Sequence, residues 1–371
     1  MLKKESLQDN FWSLLFFLLL LILTSIMILL IETLHESEPQ KSNGVGAVFI
    51  GSIEDGGWNE SHYKGLKKSC DELGLILYTA QNVGETKGDC SDAVRKLAAS
   101  DVSVIFLTSD GFGNNVREVI EAYPDIFFYT ISSYSDPKNM ITYYGRMYQM
   151  RYLSGIIAGR MTESNIIGYV AAMRNEQVDR GINAFTMGVR SVNPDAIVKV
   201  SFTGEWFDTD REMYFANKLI EDGADVLTHH TSTAGTIDLA EERQVKSIGY
   251  NCINPKYSDN FLASLVFHWD ILYKAILQDY LKGSLVTADD SYWWGSSEGV
   301  VSIEDISPAI DDNTMDRVHS FLKSFDDGND VFVGEIRSRI GSVVCHENER
   351  ISDDGLLFGM NWLVEGVEIE D

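Results

Sequence analysis

From Val45 onward, short apolar runs alternate with longer segments whose apolar residues recur at helical spacing. The runs have the length and composition of strands, and the segments between them have those of helices. Such an alternation is typical of a parallel sheet covered by helices on both faces. The predicted strands cover residues 46–50, 75–78, 102–107, 126–130, 166–170, 197–200, 225–227 and 246–249. The pattern therefore predicts two doubly wound α/β lobes in tandem, the first of which runs to about Arg146.

The N-terminal region has a different pattern. Residues Phe11–Ile31 form an uncharged, almost wholly apolar stretch, which is long enough to cross a bilayer at about 20 residues. Lys3 and Lys4 precede it and acidic residues follow it, so the positive-inside rule places the bulk of the chain outside the cytoplasm. We expect residues 1–34 to be a single-pass membrane anchor and residues 35–43 to be a tether. A cleaved signal peptide is the alternative.

The length, net charge and cysteine and histidine positions of the chain limit the partners and binding sites that can be expected. The chain has 371 residues, enough for two lobes, and a formal net charge of -26. This charge repels a phosphate backbone, so nucleic acid is not expected as a partner. The four cysteines include no C-x-x-C pair, and a disulfide between Cys70 and Cys90 is left open. His229 and His230 are neighbours on a predicted strand and point to opposite faces, so they are not expected to share a metal ion. No cofactor is expected either.

The loop after the first strand is a candidate ligand site. Its sequence is Asp55-Gly-Gly-Trp-Asn, and ligands of open α/β sheets bind beyond the carboxyl ends of the strands. Glycine permits a close approach of the backbone, so Trp58 can be presented to a flat ligand beside Asp55 and Asn59. The alternative is an indole that packs on its own sheet.

Seven stretches, in order, resemble the basic membrane protein family of ABC-importer substrate-binding proteins, which includes nucleoside-binding lipoproteins. They are Asp55-Gly-Gly-Trp-Asn, Tyr148-x-x-Arg151-Tyr-Leu-Ser-Gly, Gly181-Ile-Asn-Ala-Phe-Thr-Met-Gly, Val192-Asn-Pro-Asp, Glu205-Trp-Phe-Asp, Asp222-Gly-Ala-Asp-Val and Trp293-Trp-Gly-x-x-Glu-Gly-Val. The similarity covers roughly Val45–Asn361 and is greatest to the purine-binding, adenine-type branch.

The resemblance implies a type I periplasmic-binding-protein fold with a three-stranded hinge. The first lobe is then expected to comprise residues 44–146 and about 270–285. The second is expected to comprise 147–269 and about 286–310. Residues 311–371 are expected to form a C-terminal extension packed on the lobes.

The resemblance also implies that a purine base or nucleoside binds between the lobes and is delivered to ABC permease subunits by a monomeric receptor. The positions that match the family's ligand loops, together with Trp269 near a hinge, are Asp55, Trp58, Asn59, Ser109, Gly111, Phe112, Trp206, Asp208, His230, Thr231, Ser232, Tyr250, Asn251 and Trp269. Ser232 and Cys252-Ile253 replace residues that are acidic in relatives. Because carboxylates accept hydrogen bonds from exocyclic amines and ribose hydroxyls, these differences leave the ligand within the purine class open.

The sequence lacks the common motifs of catalytic sites. The sequence has no G-x-S-x-G, H-E-x-x-H, G-x-x-x-x-G-K-[ST] or G-x-G-x-x-G pattern. Asp110-Gly-Phe-Gly echoes a kinase motif without the other kinase elements. We therefore expect a binding protein and no enzyme, with nucleoside hydrolysis by Asp55 and Asp208 as the remote alternative. A membrane-anchored sensor that feeds a signalling partner is the closer alternative.

Overall fold

The chain divides into two compact units, Met1–Ser42 and Asn43–Asp371. The residues that the computed structural model describes are 12, 15–27, 43–131, 139–251, 257–284 and 291–370. In the first unit, residues 15–27 form helix α1, whose apolar side chains are exposed. Within the described residues, no helix is both long and apolar enough to cross a membrane. The expected span Phe11–Ile31 extends past both ends of α1 into residues outside the described ones, where nearly all of the expected tether also lies.

The second unit contains two large sheets, and the first is six-stranded and parallel. Its strand order is β11-β5-β4-β3-β1-β2. The strands are β1 (Gly44–Val48), β2 (Ile76–Ala80), β3 (Val102–Leu107), β4 (Phe127–Thr130), β5 (Met140–Gly145) and β11 (Tyr292–Trp294). The helices of this lobe are α2 (Trp58–Leu73), α3 (Lys87–Ala98), α4 (Asp110–Ile120) and α9 (Trp269–Lys282). β1 and β5 are buried along their whole length, as expected for strands with both faces covered.

The second sheet has seven strands in the order β12-β10-β9-β8-β6-β7-β15 and is parallel except where β12 meets β10. Its strands are β6 (Ile166–Ala171), β7 (Ile197–Phe202), β8 (Val226–His230), β9 (Lys246–Tyr250), β10 (Phe261–Phe267), β12 (Val301–Glu304) and β15 (Val367–Glu370). The helices of this lobe are α5 (Met147–Met161), α6 (Glu176–Val192), α7 (Thr209–Glu221), α8 (Gly235–Arg243), α10 (Asp312–Asp326) and α11 (Asp353–Phe358). Together the two sheets confirm the predicted pair of α/β lobes.

The chain crosses between the lobes three times. The first crossing is Arg146, between β5 and α5, and the second is His268, between β10 and α9. The third lies between β11 and β12, at residues 295–300. Because Tyr292–Trp294 pairs with β5, this strand belongs to the first sheet, and the third crossing comes later than the residue 286 that the sequence suggests. Trp269, grouped by sequence with the second lobe, begins a helix that packs on α2.

Glycines bring α5 and α6 together in the core of the second lobe. A Cβ added to Gly155 would lie 2.1 Å from the carbonyl oxygen of Phe185, and one added to Gly188 would lie 2.0 Å from that of Tyr152. Only glycine fits at such a backbone approach. Gly155 and Gly188 each belong to one of the seven stretches that resemble the family. They therefore set the distance between α5 and α6, and with it the position of the N-terminal turn of α6.

The C-terminal extension packs on the second lobe. β15 adds to the sheet beside β7, and α10 packs against α5. A small antiparallel sheet is formed by β13 (Ile336–Arg337) and β14 (Val343–Cys345). The extension is thus an integral layer of the second lobe.

Three local details differ from the sequence expectations. α2 begins at Trp58, inside the predicted loop Asp55–Asn59, so the indole lies on a helix. Strand β5 has no counterpart among the predicted strands. The possible disulfide is not formed, because Cys70 and Cys90 are free and buried. Burial raises the pKa of Cys70 to about 12 and that of Cys90 to about 11, so both thiols remain protonated at neutral pH.

Candidate ligand-binding cleft

A narrow cleft lies between the two lobes. The space between protein atoms there is about 400 Å³, part of which is open to solvent. The first lobe contributes Ile50, Trp58, Ser109, Asp110 and Ile131, and the second contributes Gln177, Trp206, Thr231, Ser232 and Tyr250. Most of these residues end a strand or closely follow one, and two of them, Trp58 and Asp110, begin helices. The cleft therefore occupies the position at which open α/β sheets bind ligands.

Trp58 is held in place by hydrogen bonding and by ring contacts. Its Nε1–H donates to the carbonyl oxygen of Thr108 at 2.8 Å. Edge-on ring contacts join it to His62 at 4.4 Å, to Trp269 at 5.6 Å and to Phe267 at 5.9 Å. Such contacts restrict the indole to one orientation before a ligand arrives, which lowers the entropic cost of binding.

Trp206 faces the cleft from the second lobe. Its backbone carbonyl accepts a hydrogen bond from the Ser232 N–H at 2.8 Å, which joins two of the cleft loops. Its ring makes an edge-on contact of 6.1 Å with His230. The two lobes thus each supply one indole to the same cleft.

Asp110 supplies a carboxylate to the cleft at the first residue of α4. Burial, together with the nearby carboxylates of Glu85 and Glu176, raises its pKa to about 6. Glu85 in turn caps this helix, because its Oε1 accepts from the Ser109 hydroxyl at 2.6 Å and from the Gly111 N–H at 2.8 Å. Asp110 is therefore held at the cleft wall in an environment where a hydrogen-bond donor from a ligand would stabilise its ionised form.

A smaller polar compartment adjoins the cleft and shares Asp110, Ile131 and Gln177 with it. Gln177 donates from Nε2 to the hydroxyl of Tyr144, and so joins the second lobe to the first. Arg180 also lines this compartment; it is buried and donates to the carbonyl oxygen of Leu356 at 2.5 Å. The compartment encloses about 330 Å³.

The floor of the cleft in the second lobe contains a buried cation behind Tyr250. The guanidinium carbon of Arg151 lies 4.4 Å from the Tyr250 ring centroid and 5.3 Å from that of Tyr169. Burial and this cation lower the pKa of His229 to about 3 and hold the pKa of His230 well below its usual value. Both histidines are therefore neutral. Within the described part of the chain, no group of three or more His, Cys, Asp or Glu residues could hold a metal ion.

Six of the residues predicted as ligand contacts line the cleft itself: Trp58, Ser109, Trp206, Thr231, Ser232 and Tyr250. Two more, Asp55 and Asn251, line its outer mouth, which adds about 790 Å³ of space that is open to solvent. Asn251 has its Nδ2 buried without a hydrogen-bond partner among the described residues. That amide is therefore available to donate to a ligand.

Other predicted residues have structural roles in the described chain. Asp55 accepts from the backbone N–H groups of Gly57, Asn59 and Glu60 at 2.9–3.1 Å, and so fixes the first turn of α2. Asn59 donates to the same carboxylate at 2.7 Å, and Asp208 caps α7 through the Arg211 N–H at 3.0 Å.

Two predicted stacking groups are buried away from the cleft lining. Phe112 belongs to the core of the first lobe. Trp269 is stacked between His62, at 3.9 Å, and Phe267, at 4.3 Å, and is 1% exposed. Trp269 therefore supports Trp58 from behind, while neither ring is among the described residues that line the cleft.

Four lining residues had no place among the predicted contacts: Ile50, Asp110, Ile131 and Gln177. Ile50 ends a predicted strand, and Asp110 and Ile131 follow two others, so the rule that places ligands at the carboxyl ends of strands could have found them. Gln177 lies in the first turn of α6, which follows the predicted strand 166–170.

The family model described as ABC transporter substrate-binding protein PnrA-like matches residues 43–325. The chain belongs to this family. Its members are substrate-binding proteins and not enzymes. They act outside the cytoplasm with transporter permeases as partners.

Two curated relatives match this chain over most of its length. A purine-binding protein of Brucella abortus is 32% identical over 90% of this chain and 94% of its own. A putative ABC transporter glucose-binding protein of Haloferax volcanii is 33% identical over 92% of this chain and 84% of its own. A crystal structure of a solute-binding protein of an ABC transporter system from Aeropyrum pernix covers 80% of this chain and 92% of its own, with a TM-score of 0.68 and 16% identity. The fold is thus that of type I periplasmic binding proteins.

Proposed function

We propose that this protein captures a neutral purine, with adenine or its nucleoside as the first choice, between its two lobes. The observation that carries the proposal is the pair of indoles, Trp58 and Trp206, that reach one narrow cleft from opposite lobes. A planar aromatic ring gains about 0.5–1.5 kcal/mol from each good stack beyond the burial of its surface. A ligand that contacts both rings also links the lobes and favours the closed form.

Polar groups around the indoles suit the edge of a purine. The Asp110 carboxylate can accept from an exocyclic amine or a ring N–H, and the unpartnered Nδ2 of Asn251 can donate to a ring nitrogen or an oxygen. The compartment beside Asp110 offers acceptors and one guanidinium to the hydroxyls of a ribose. A buried polar atom left without its partner costs about 1–3 kcal/mol, so such groups discriminate between similar rings.

Charge argues against phosphorylated ligands. The guanidinium of Arg180, which lines the compartment beside the cleft, shares that compartment with Asp110 and Glu176. A nucleotide would bring its phosphate next to these carboxylates in a protein whose net charge is -26. We therefore expect bases and nucleosides to bind and nucleotides to bind poorly.

Calorimetry on the purified full-length chain tests the assignment. Adenine, hypoxanthine, adenosine, AMP, glucose and an amino-acid mixture are titrated in turn. We expect micromolar or tighter binding of a base or nucleoside, and weak or no binding of AMP and glucose. A clear preference for glucose, the sugar in the name of the Haloferax relative, would contradict the proposal, as would a preference for amino acids.

Delivery to a permease is the expected physiological step. Family membership supports it, and the uncharged stretch Phe11–Ile31 with lysines before it and acids after it supports retention at the membrane. A short tether would raise the local concentration of a monomeric receptor near its importer. Loss of labelled-purine uptake in a deletion strain would agree with this role, whereas intact uptake with altered gene expression would favour the sensor. Detection of a mature N-terminus near Glu32 would contradict the anchor.

A further inference from the structure

The C-terminal extension reaches the hinge at a place that the family model does not cover. The model match ends at residue 325, and the short helix α11, Asp353–Phe358, lies beyond it. This helix contacts α6, and Leu357 lines the polar compartment next to Asp110. A segment outside the match therefore touches both the hinge region and a wall of the ligand site.

Arg146, the first lobe crossing, connects three parts of the molecule. Its backbone N–H donates to the Trp294 carbonyl at 2.7 Å, and its Nε–H donates to the Trp293 carbonyl at 3.0 Å. Its two terminal nitrogens bind both carboxylate oxygens of Asp353, at 2.8 and 2.5 Å. A bidentate pair of this kind fixes geometry as well as charge. One side chain thus holds the first crossing, the strand that leads to the third crossing, and the extension.

Trp293 contacts two guanidiniums that the extension also binds. The guanidinium carbon of Arg180 lies 4.8 Å from the Trp293 ring centroid, and that of Arg146 lies 5.2 Å from it. Asp353 holds Arg146, and the carbonyl oxygen of Leu356 holds Arg180. Because β11 belongs to the first sheet and α11 packs on the second lobe, these contacts connect the two lobes.

The contacts of Arg146, Trp293 and Asp353 are seen with the two lobes closed on each other. At the mouth of the cleft, a Cβ added to Gly57 of the first lobe would lie 2.7 Å from the carbonyl oxygen of Ser232 in the second. Opening requires backbone rotation at the crossings, which include Arg146. The contacts between Arg146, Trp293 and Asp353 are therefore part of the closed arrangement.

We propose that Asp353–Phe358 is a hinge strap, with Asp353 as its positioning residue, that favours the closed form and so raises ligand affinity. The Arg146 side chain is 19% exposed and that of Asp353 is 52% exposed. An isolated surface ion pair contributes little to stability. The strap acts instead by joining parts that move relative to each other, so that its free energy enters the equilibrium between open and closed forms.

The test compares Asp353→Asn with Asp354→Asn in the full-length chain. Both variants remove one negative charge from the same exposed turn, but only Asp353 has the bidentate pair with Arg146. We expect Asp353→Asn to weaken ligand binding about threefold to tenfold, mainly through faster dissociation, and Asp354→Asn to bind as the wild type does. Arg146→Lys keeps the charge but loses the bidentate geometry, and we expect it to weaken binding in the same direction.

Small-angle scattering separates the strap from a purely structural ion pair. We expect ligand-free Asp353→Asn to have a larger radius of gyration than ligand-free Asp354→Asn. Equal scattering profiles and equal dissociation rates, with only a lower melting temperature for Asp353→Asn, would overturn the proposal. The affinity measurement rests on the proposed purine function, whereas the ligand-free scattering does not. Failure of the strap is therefore distinguishable from failure of the ligand assignment.

Discussion

Gly57 and Ser232 meet across the mouth of the cleft, one from each lobe. A Cβ added at Gly57 would lie 2.7 Å from the Ser232 carbonyl oxygen, closer than a carbon and an oxygen normally approach. The obstacle is backbone, so it cannot rotate away as a side chain can. Glycine at this position therefore allows the lobes to close fully.

Gly57→Ala is expected to disfavour the closed form. The added methyl group keeps the lobes apart at the point of contact, so we expect ligand affinity to fall about fivefold, which corresponds to about 1 kcal/mol. Gly88→Ala is the matched control, because the nearest atom to its new Cβ would be 3.9 Å away. Stopped-flow fluorescence of Trp58 and Trp206 after ligand addition measures the rates of ligand association and dissociation. Equal affinity in the two variants would show that closure does not depend on this contact.

Replacement of either cleft indole is expected to weaken purine binding. Trp58→Ala removes one stacking face and should weaken binding at least tenfold, or about 1.4 kcal/mol, and Trp206→Ala should act similarly. Tyr214→Ala is a control at an exposed aromatic ring of the second lobe that lines neither the cleft nor its mouth. Calorimetry measures affinity, and circular dichroism checks the fold. Wild-type affinity in Trp58→Ala would contradict the proposal that the purine stacks on this indole.

Purine binding should weaken as the pH falls through the pKa of Asp110. Burial and two neighbouring carboxylates raise this pKa to about 6 in the ligand-free protein. A ligand N–H binds the ionised carboxylate, so protonation competes with binding, and affinity should fall by up to tenfold per pH unit below about pH 6. Above that pH the carboxylate is ionised and affinity should be constant.

Asp110→Asn identifies the group responsible for this pH dependence. The amide keeps the shape of the side chain but loses the titrating charge, so binding should be weaker at pH 7.5 and independent of pH between 5 and 8. Titrations of both proteins over this range provide the measurement. A pH profile that persists in Asp110→Asn would assign the dependence to another group.

Salt is expected to stabilise the folded protein. With 56 acidic and 30 basic residues, the formal net charge is -26, and repulsion among these charges opposes the compact state. The screening length falls from about 10 Å at 0.1 M salt to about 3 Å at 1 M. We expect the melting temperature to rise between these concentrations, by about 1–2 °C for each kcal/mol that is gained. A fall in melting temperature, equal in NaCl and KCl, would show that ion pairs outweigh the repulsion.

The sequence by itself determined the α/β architecture, because burial of both sheet faces imposes apolar runs such as 102–107, which the structure reproduces as β3. It also predicted which strand ends contribute residues to the cleft, since Trp58 and Trp206 come after β1 and β7. Strand β5, Met140–Gly145, has residues that are common in strands, but it follows β4 without the helical sequence pattern that separates the predicted strands.

Tertiary structure alone decided which polar and aromatic residues face the cleft. Asp55 and Asp110 both follow strands, but backbone N–H groups of α2 occupy Asp55, whereas the first turn of α4 turns Asp110 toward the second lobe. Trp269 looks like a ligand group in the sequence, yet it fills the space behind Trp58. The hydrogen bonds of Asp55 are local, but the place of Trp269 behind Trp58 joins residues about 210 positions apart, and local periodicity carries no information about such a contact.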